Sequence, residues 1–355
     1  MQPINEEAAV RPLVRGILKG SLQQIRHIAA VRPAGAQGLV ADVYGRAHRE
    51  FGVIAPPLAL HSPAPEVLAA SWMLLRETLL VEGHVGRAAK EAVATAVSQA
   101  NECPYCVEVH QAKLDTLPDA DAAAHQALSD WARTSADATG GRRALPADAA
   151  GAPEIYGVAV TFHYLNRMVR LFLPDSPVPD AAPRAGRAPV MRMVARAMRP
   201  DTGTTVRAGD SLDLLPQAPL PQDLAWAESS PHVAGALARA VAAVDTCAER
   251  WIPEPVRELV RAELAVHDGV APGPSRVWLQ VALEGLPTGQ LPAARLALLI
   301  ALAPYQLTDA DIEDFRAVHD SDRELVELAS WAALTAAVRI GARFPVPGPT
   351  ASAAR

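Results

Sequence analysis

The strongest constraint on the fold is a scarcity of strand-forming runs in a chain where alanine, leucine and arginine abound. With few stretches rich in β-branched and aromatic residues, an all-α chain is predicted. Half of the 355 residues are hydrophobic and 20% are charged, which is enough to bury a sizeable core. Apolar periodicity, punctuated by proline and glycine, predicts helices over residues 38–51, 65–81, 86–100, 104–115, 119–136 and 152–173. The last of these, IYGVAVTFHYLNRMVRLFL, is apolar on most faces and should be buried. Residues 174–222 are rich in proline and read as a long connection, with one helix near 190–198. A second helical block follows, with helices over 231–249, 253–267, 274–283, 291–302, 309–317 and 321–342.

The two blocks read as distant tandem copies. SPAPEVLAASWMLLRETLL in the first resembles SSPHVAGALARAVAAVDTC in the second, and the helix holding Arg87 and Glu91 matches PVRELVRAELAV. Glu258 then stands where Glu91 does. The organisation expected is a first domain over 1–175, a Pro-rich connection over 176–222, a degenerate repeat over 223–345 and a disordered tail over 346–355.

Composition excludes several classes. A net charge of -6 argues against a nucleic-acid partner. No apolar run approaches the ~20 residues that span a bilayer, so no membrane association is expected. Glu6 and Glu7 make the N-terminus unlike a secretory signal. Three cysteines are too few for a disulfide framework, and two of them form a CxxC. That usage fits a reducing cytoplasm and points to a redox pair or half a metal site.

The chemistry concentrates in KEAVATAVSQANECPYCVEVH, which contains Glu91, Cys103, Cys106 and His110. Pro104 suits the first turn of a helix, so Cys103 falls at its N-cap and Cys106 inside its first turn. Unpaired N–H groups and the helix dipole there stabilise a thiolate. His110 lies four residues after Cys106 on the same face, placed to accept its proton directly or through water. Twelve residues along one helix would put Glu91 about 18 Å from Cys103. The chain must therefore turn near Asn101 and Glu102 and pack two helices face to face. Glu91 would then orient the imidazole, and its pKa should rise if its buried partners are few. A zinc site lacks a second cysteine pair, and no metal or other cofactor is expected. His163 and Asn166 read as buried helix packing, Trp72, Trp226 and Trp331 as core anchors, and Cys247 as a small core residue.

At these residues the chain resembles the AhpD-like alkylhydroperoxidases of the carboxymuconolactone decarboxylase superfamily. Their signature is a Glu, a gap of about twelve residues, CxxC, and a His four residues on. Glu91, Cys103, Cys106 and His110 match it position by position; the likeness is good over residues 38–173 and confined to helix pattern in the second block. The resemblance implies an all-α AhpD-like fold and a thiol peroxidase. Cys106 would be the peroxidatic thiolate, Cys103 would close the disulfide, and Glu91 and His110 would relay protons. It also implies a hydroperoxide substrate, a lipoylated or thioredoxin-like dithiol reductant, and a homo-oligomer, dimer or trimer. Tyr105 departs from members that carry His between the cysteines. The second copy lacks the thiols: counting on from Glu258 places Val270, Gly273 and Val277 at the reactive positions. Two alternatives stay open, a lactone decarboxylase and a redox switch or scaffold without turnover.

Overall fold

The computed structural model describes residues 22–118, 121–178, 184–201 and 203–347, and among these every regular element is helical. The first block contains α1 (Gly38–Phe51), α2 (Pro65–Leu75, continued by a π turn over Arg76–Leu80), α3 (Arg87–Ala100), α4 (Pro104–Leu114), α5 (Ala122–Arg133) and α6 (Ala152–Phe172). The connection carries α7 (Arg184–Ala197). The second block contains α8 (Pro231–Glu249), α9 (Glu254–His267), α10 (Val277–Ala282), α11 (Leu291–Leu302), α12 (Asp309–Arg316) and α13 (Asp322–Gly341). Each falls on a predicted helix. A single turn over Pro56–Ala59 is additional, being too short to show a period. The predicted helix start at Asp119, the stretch with Glu6 and Glu7, and the tail from residue 348 lie outside the described residues.

Proline sets the start of α2, α4 and α8, where its fixed φ suits a helix and its missing N–H costs nothing. α6 is buried along its length except at Arg167 and Arg170. Trp72, Trp226, Trp331 and Cys247 are all buried in the one large core, as read from the sequence.

The blocks repeat one another in detail. α2 follows Ala64 at φ -120°, ψ 93°, and α8 follows Ser230 at φ -121°, ψ 93°. α3 packs on α5 and α6, and α9 packs on α11 and α13. Counterparts also pack on each other, α2 on α8 and α6 on α13, the arrangement of a two-fold interface between like units. Glu258 shares the register of Glu91 but not its surroundings. Both are fifth in helices of 14 residues, but Glu91 is buried and Glu258 is exposed. Glu91 is covered by α4, whereas α10 spans only 6 residues and leaves Glu258 in solvent.

The connection is bound to the first block rather than hanging free. Buried Glu77 accepts hydrogen bonds from the Ser211 hydroxyl at 2.6 Å and the Gly209 N–H at 2.8 Å. α7 starts before the predicted 190–198 segment and runs through Pro189. Proline forfeits one backbone bond there, but the following turns are fixed by burial of Met191, Ala195 and Met198. Gly52 ends α1 at φ +83°, where a Cβ would strike the backbone of Ala197 and Arg199. Gly52→Ala should therefore push the end of α7 away and cost about 2 kcal/mol, read as a lower denaturant midpoint.

Candidate active site

The corner expected between α3 and α4 is present. The backbone reverses at Glu102, whose φ of 50° is left-handed, and the Cys103 N–H returns to the Ser98 carbonyl at 2.9 Å. Cys103 occupies the N-cap of α4, with Pro104 first in the helix and Cys106 third. Packing of α3 on α4 brings Glu91 to His110, Oε2 to Nδ1 at 2.7 Å. The other Glu91 oxygen accepts from Arg87 Nε at 2.7 Å. Glu91, Cys103, Cys106 and His110 are 0%, 1%, 4% and 8% exposed.

Two partners decide the state of Glu91. Burial alone would raise its pKa, but Arg87 and His110 outweigh burial and hold it at about 2. The expected rise therefore does not occur, because the carboxylate has a cation one turn before it. An ionised Glu91 only accepts, so His110 Nδ1 donates to it, which fixes the ring with Nε2 on its far side.

The thiols differ sharply. The Cys106 thiol donates to Cys103 and lowers its pKa against the penalty of burial; the Cys106 N–H and Arg170 add to this. No full N-cap hydrogen bond forms at Cys103, so the helix end acts on it electrostatically. Burial pushes Cys106 well up, and its neighbour Cys103 pushes it further, while the Asn166 amide opposes both. The first charge on the pair therefore rests on Cys103, with the proton on Cys106.

Cys106 and His110 line a cavity of about 100 Å3, and Cys103 is not among its lining residues. The cavity walls are almost wholly apolar, including Phe51, Leu75 and Phe162. The connection completes it: Val190, Met191, Val194 and Met198 of α7 close one side. His110 is also fixed by an edge-on contact with Phe162, centroids 4.6 Å apart. Tyr105, the departure between the cysteines, is buried in the cavity wall, and burial raises its pKa. Among the described residues, no three His, Cys, Asp or Glu side chains are grouped to hold a metal.

Two polar side chains of α6 join the site without belonging to a motif. Asn166 reaches Cys106, and its carbonyl accepts from the Asn101 amide at 2.9 Å. The amide of Asn166 also donates to Ser98 at 3.1 Å. Arg170 donates to the Glu102 carbonyl and bears on Cys103. His163, one turn before Asn166, bonds Asn101 and, at 2.9 Å, Ser135. Reading His163 as packing agrees with its full burial; Asn166 is more than packing. The available signal was a polar stripe at 163, 166 and 170 on a helix otherwise apolar.

The sequence profile of the carboxymuconolactone decarboxylase family matches residues 65–133, which hold all four motif residues. The chain is also similar to a protein of Mycobacterium tuberculosis named alkyl hydroperoxide reductase Rv2159c. The two are 38% identical over 335 residues, covering 89% of this chain and 94% of that protein. The match spans both helical blocks. No helix among the described residues is long and apolar enough to cross a membrane.

Proposed function

We propose that this chain, which belongs to the carboxymuconolactone decarboxylase family, reduces organic hydroperoxides through a Cys103–Cys106 dithiol cycle. The observation that carries the reading is the apolar cavity that Cys106 and an imidazole oriented by Glu91 line together, with a second thiol hydrogen-bonded to Cys106. The similarity to a protein named alkyl hydroperoxide reductase supports it.

In this mechanism His110 Nε2 takes the Cys106 proton as a hydroperoxide enters, and Glu91 stabilises the imidazolium. The Cys106 thiolate attacks the distal peroxide oxygen and the O–O bond breaks. Cys106 becomes a sulfenic acid, and the alkoxide leaves as an alcohol with the proton held on His110. Asn166 steadies the thiolate before attack. Cys103, the more acidic thiol, attacks the Cys106 sulfur, an S–S bond forms and water departs. A dithiol donor returns two electrons and two protons by exchange. Its reactive group must enter a narrow cavity, which favours the slender arm of a lipoylated protein over a flat thioredoxin-like face. A lactone decarboxylase would draw a charged substrate into walls that offer one imidazole and no arginine or lysine.

Steady-state consumption of cumene hydroperoxide with a dithiol donor tests the reading. Sustained turnover is expected, and a single oxidation without turnover would mark a redox switch instead. Glu258→Gln should leave that turnover and the folding stability within about 0.5 kcal/mol of the parent, because the side chain is exposed in the block without thiols.

A further inference from the structure

α7 has two faces, and only the inner one faces the cysteine cavity. The outer face borders a groove of about 1720 Å3, and Val53 lines both spaces. The groove floor is apolar, with Ile25, Ile28 and Leu117. Its polar wall is cationic: Arg32, Lys113, Arg192, Arg196 and Arg199 stand against the carboxylates Asp115 and Asp201. Asp201 is already drawn to His48, 3.9 Å away, and Asp115 accepts from Gln111 at 2.8 Å.

Lys113 is the notable member. It is 8% exposed, and its ammonium donates to the Ala195 carbonyl of α7 at 3.2 Å, with no carboxylate in ion-pair contact with it among the described residues. A buried cation without a counter-charge is costly. Burial, aided by Arg87, lowers its pKa to about 8 against the opposing pull of Glu91. An anion reaching the groove would meet this ammonium together with the exposed guanidiniums of Arg192 and Arg196, one turn apart on α7.

We infer that the groove binds the anionic head of a long-chain amphiphile, whose chain runs over the apolar floor toward the cavity. This names the substrate class and rests on the peroxidase reading: a hydroperoxide carried on an acyl chain with a carboxylate or phosphate head. The cavity alone takes a short apolar segment, and the groove supplies the length and charge it lacks.

The test is equilibrium binding of oleate, oleoyl lysophosphatidate and uncharged methyl oleate to the full chain, by calorimetry below micelle concentration. At least one anion should bind, and the tighter identifies the head. Arg192→Glu with Arg196→Glu should weaken that anion at least about tenfold and methyl oleate less than about twofold. Should the charge reversal disturb folding, Arg192→Gln with Arg196→Gln should give a smaller loss of the same selectivity. Equal losses for anion and ester, no loss, or no binding of either anion would overturn the inference. These probes carry no peroxide. A chain that binds oleate but consumes no hydroperoxide would refute the peroxidase and leave the groove assignment standing.

Discussion

Cys106→Ser should abolish hydroperoxide turnover, with a loss of at least about 10³-fold, because a serine hydroxyl cannot form the attacking thiolate. Cys103→Ser should behave differently. It should still consume one equivalent of peroxide and stop at a Cys106 sulfenic acid, trapped by a dimedone-type reagent. The structure makes the contrast informative, because the sulfur facing the cavity is not the more acidic one. If acidity alone chose the nucleophile, Cys103 would carry the sulfenic acid and the assigned roles would be reversed. Cavity geometry decides for Cys106: it lines, together with His110, the cavity that a peroxide would enter.

The second large effect is expected at Glu91. Glu91→Gln removes the charge that Arg87 and His110 share. The carboxyl is held at about 2 in the fold against an ordinary value of 4.5. A depressed carboxylate stabilises the fold above about 4.5, and that contribution is lost as the pH falls toward 2. The variant should therefore be about 3 kcal/mol less stable at neutral pH. It should also show a flatter acid-unfolding profile between those values. Turnover should fall by roughly 10²-fold, since an amide neither fixes the His110 tautomer nor stabilises the imidazolium. Urea midpoints at pH 7 and pH 3 check the first part, and peroxide consumption by the folded variant checks the second. A neutral-pH midpoint equal to the parent would refute the account of Arg87 and His110 as paired partners.

Much of this was legible in the chain because the deciding interactions are local. The start of α4 is written in Cys103 and Pro104, and the four-residue step from Cys106 to His110 fixes their common face. The impossibility of placing Glu91 along the same helix predicts the corner at Asn101 and Glu102. Arg87, one turn before Glu91, was also visible, and it explains why the carboxyl is acidic rather than raised. What could not be read are contacts across long separations. Asn166 and Arg170 lie 60 or more residues from the cysteines and reach them only because α3, α4 and α6 meet. The proline-rich connection gives no periodic sign of its partner, yet it walls the cavity. Pro189 also hides the early start of α7, because a proline reads as a first-turn residue and here stands inside the helix. In the second block, helix register alone aligns Glu258 with Glu91 but cannot show that α10 is too short to cover it.

The most direct measurement is thiol counting with intact-mass analysis after one equivalent of cumene hydroperoxide. The account predicts rapid loss of two thiols and a mass lower by two hydrogens, with peptide mapping placing the new bond between Cys103 and Cys106 and Cys247 still free. All three thiols unchanged after the pulse would contradict it.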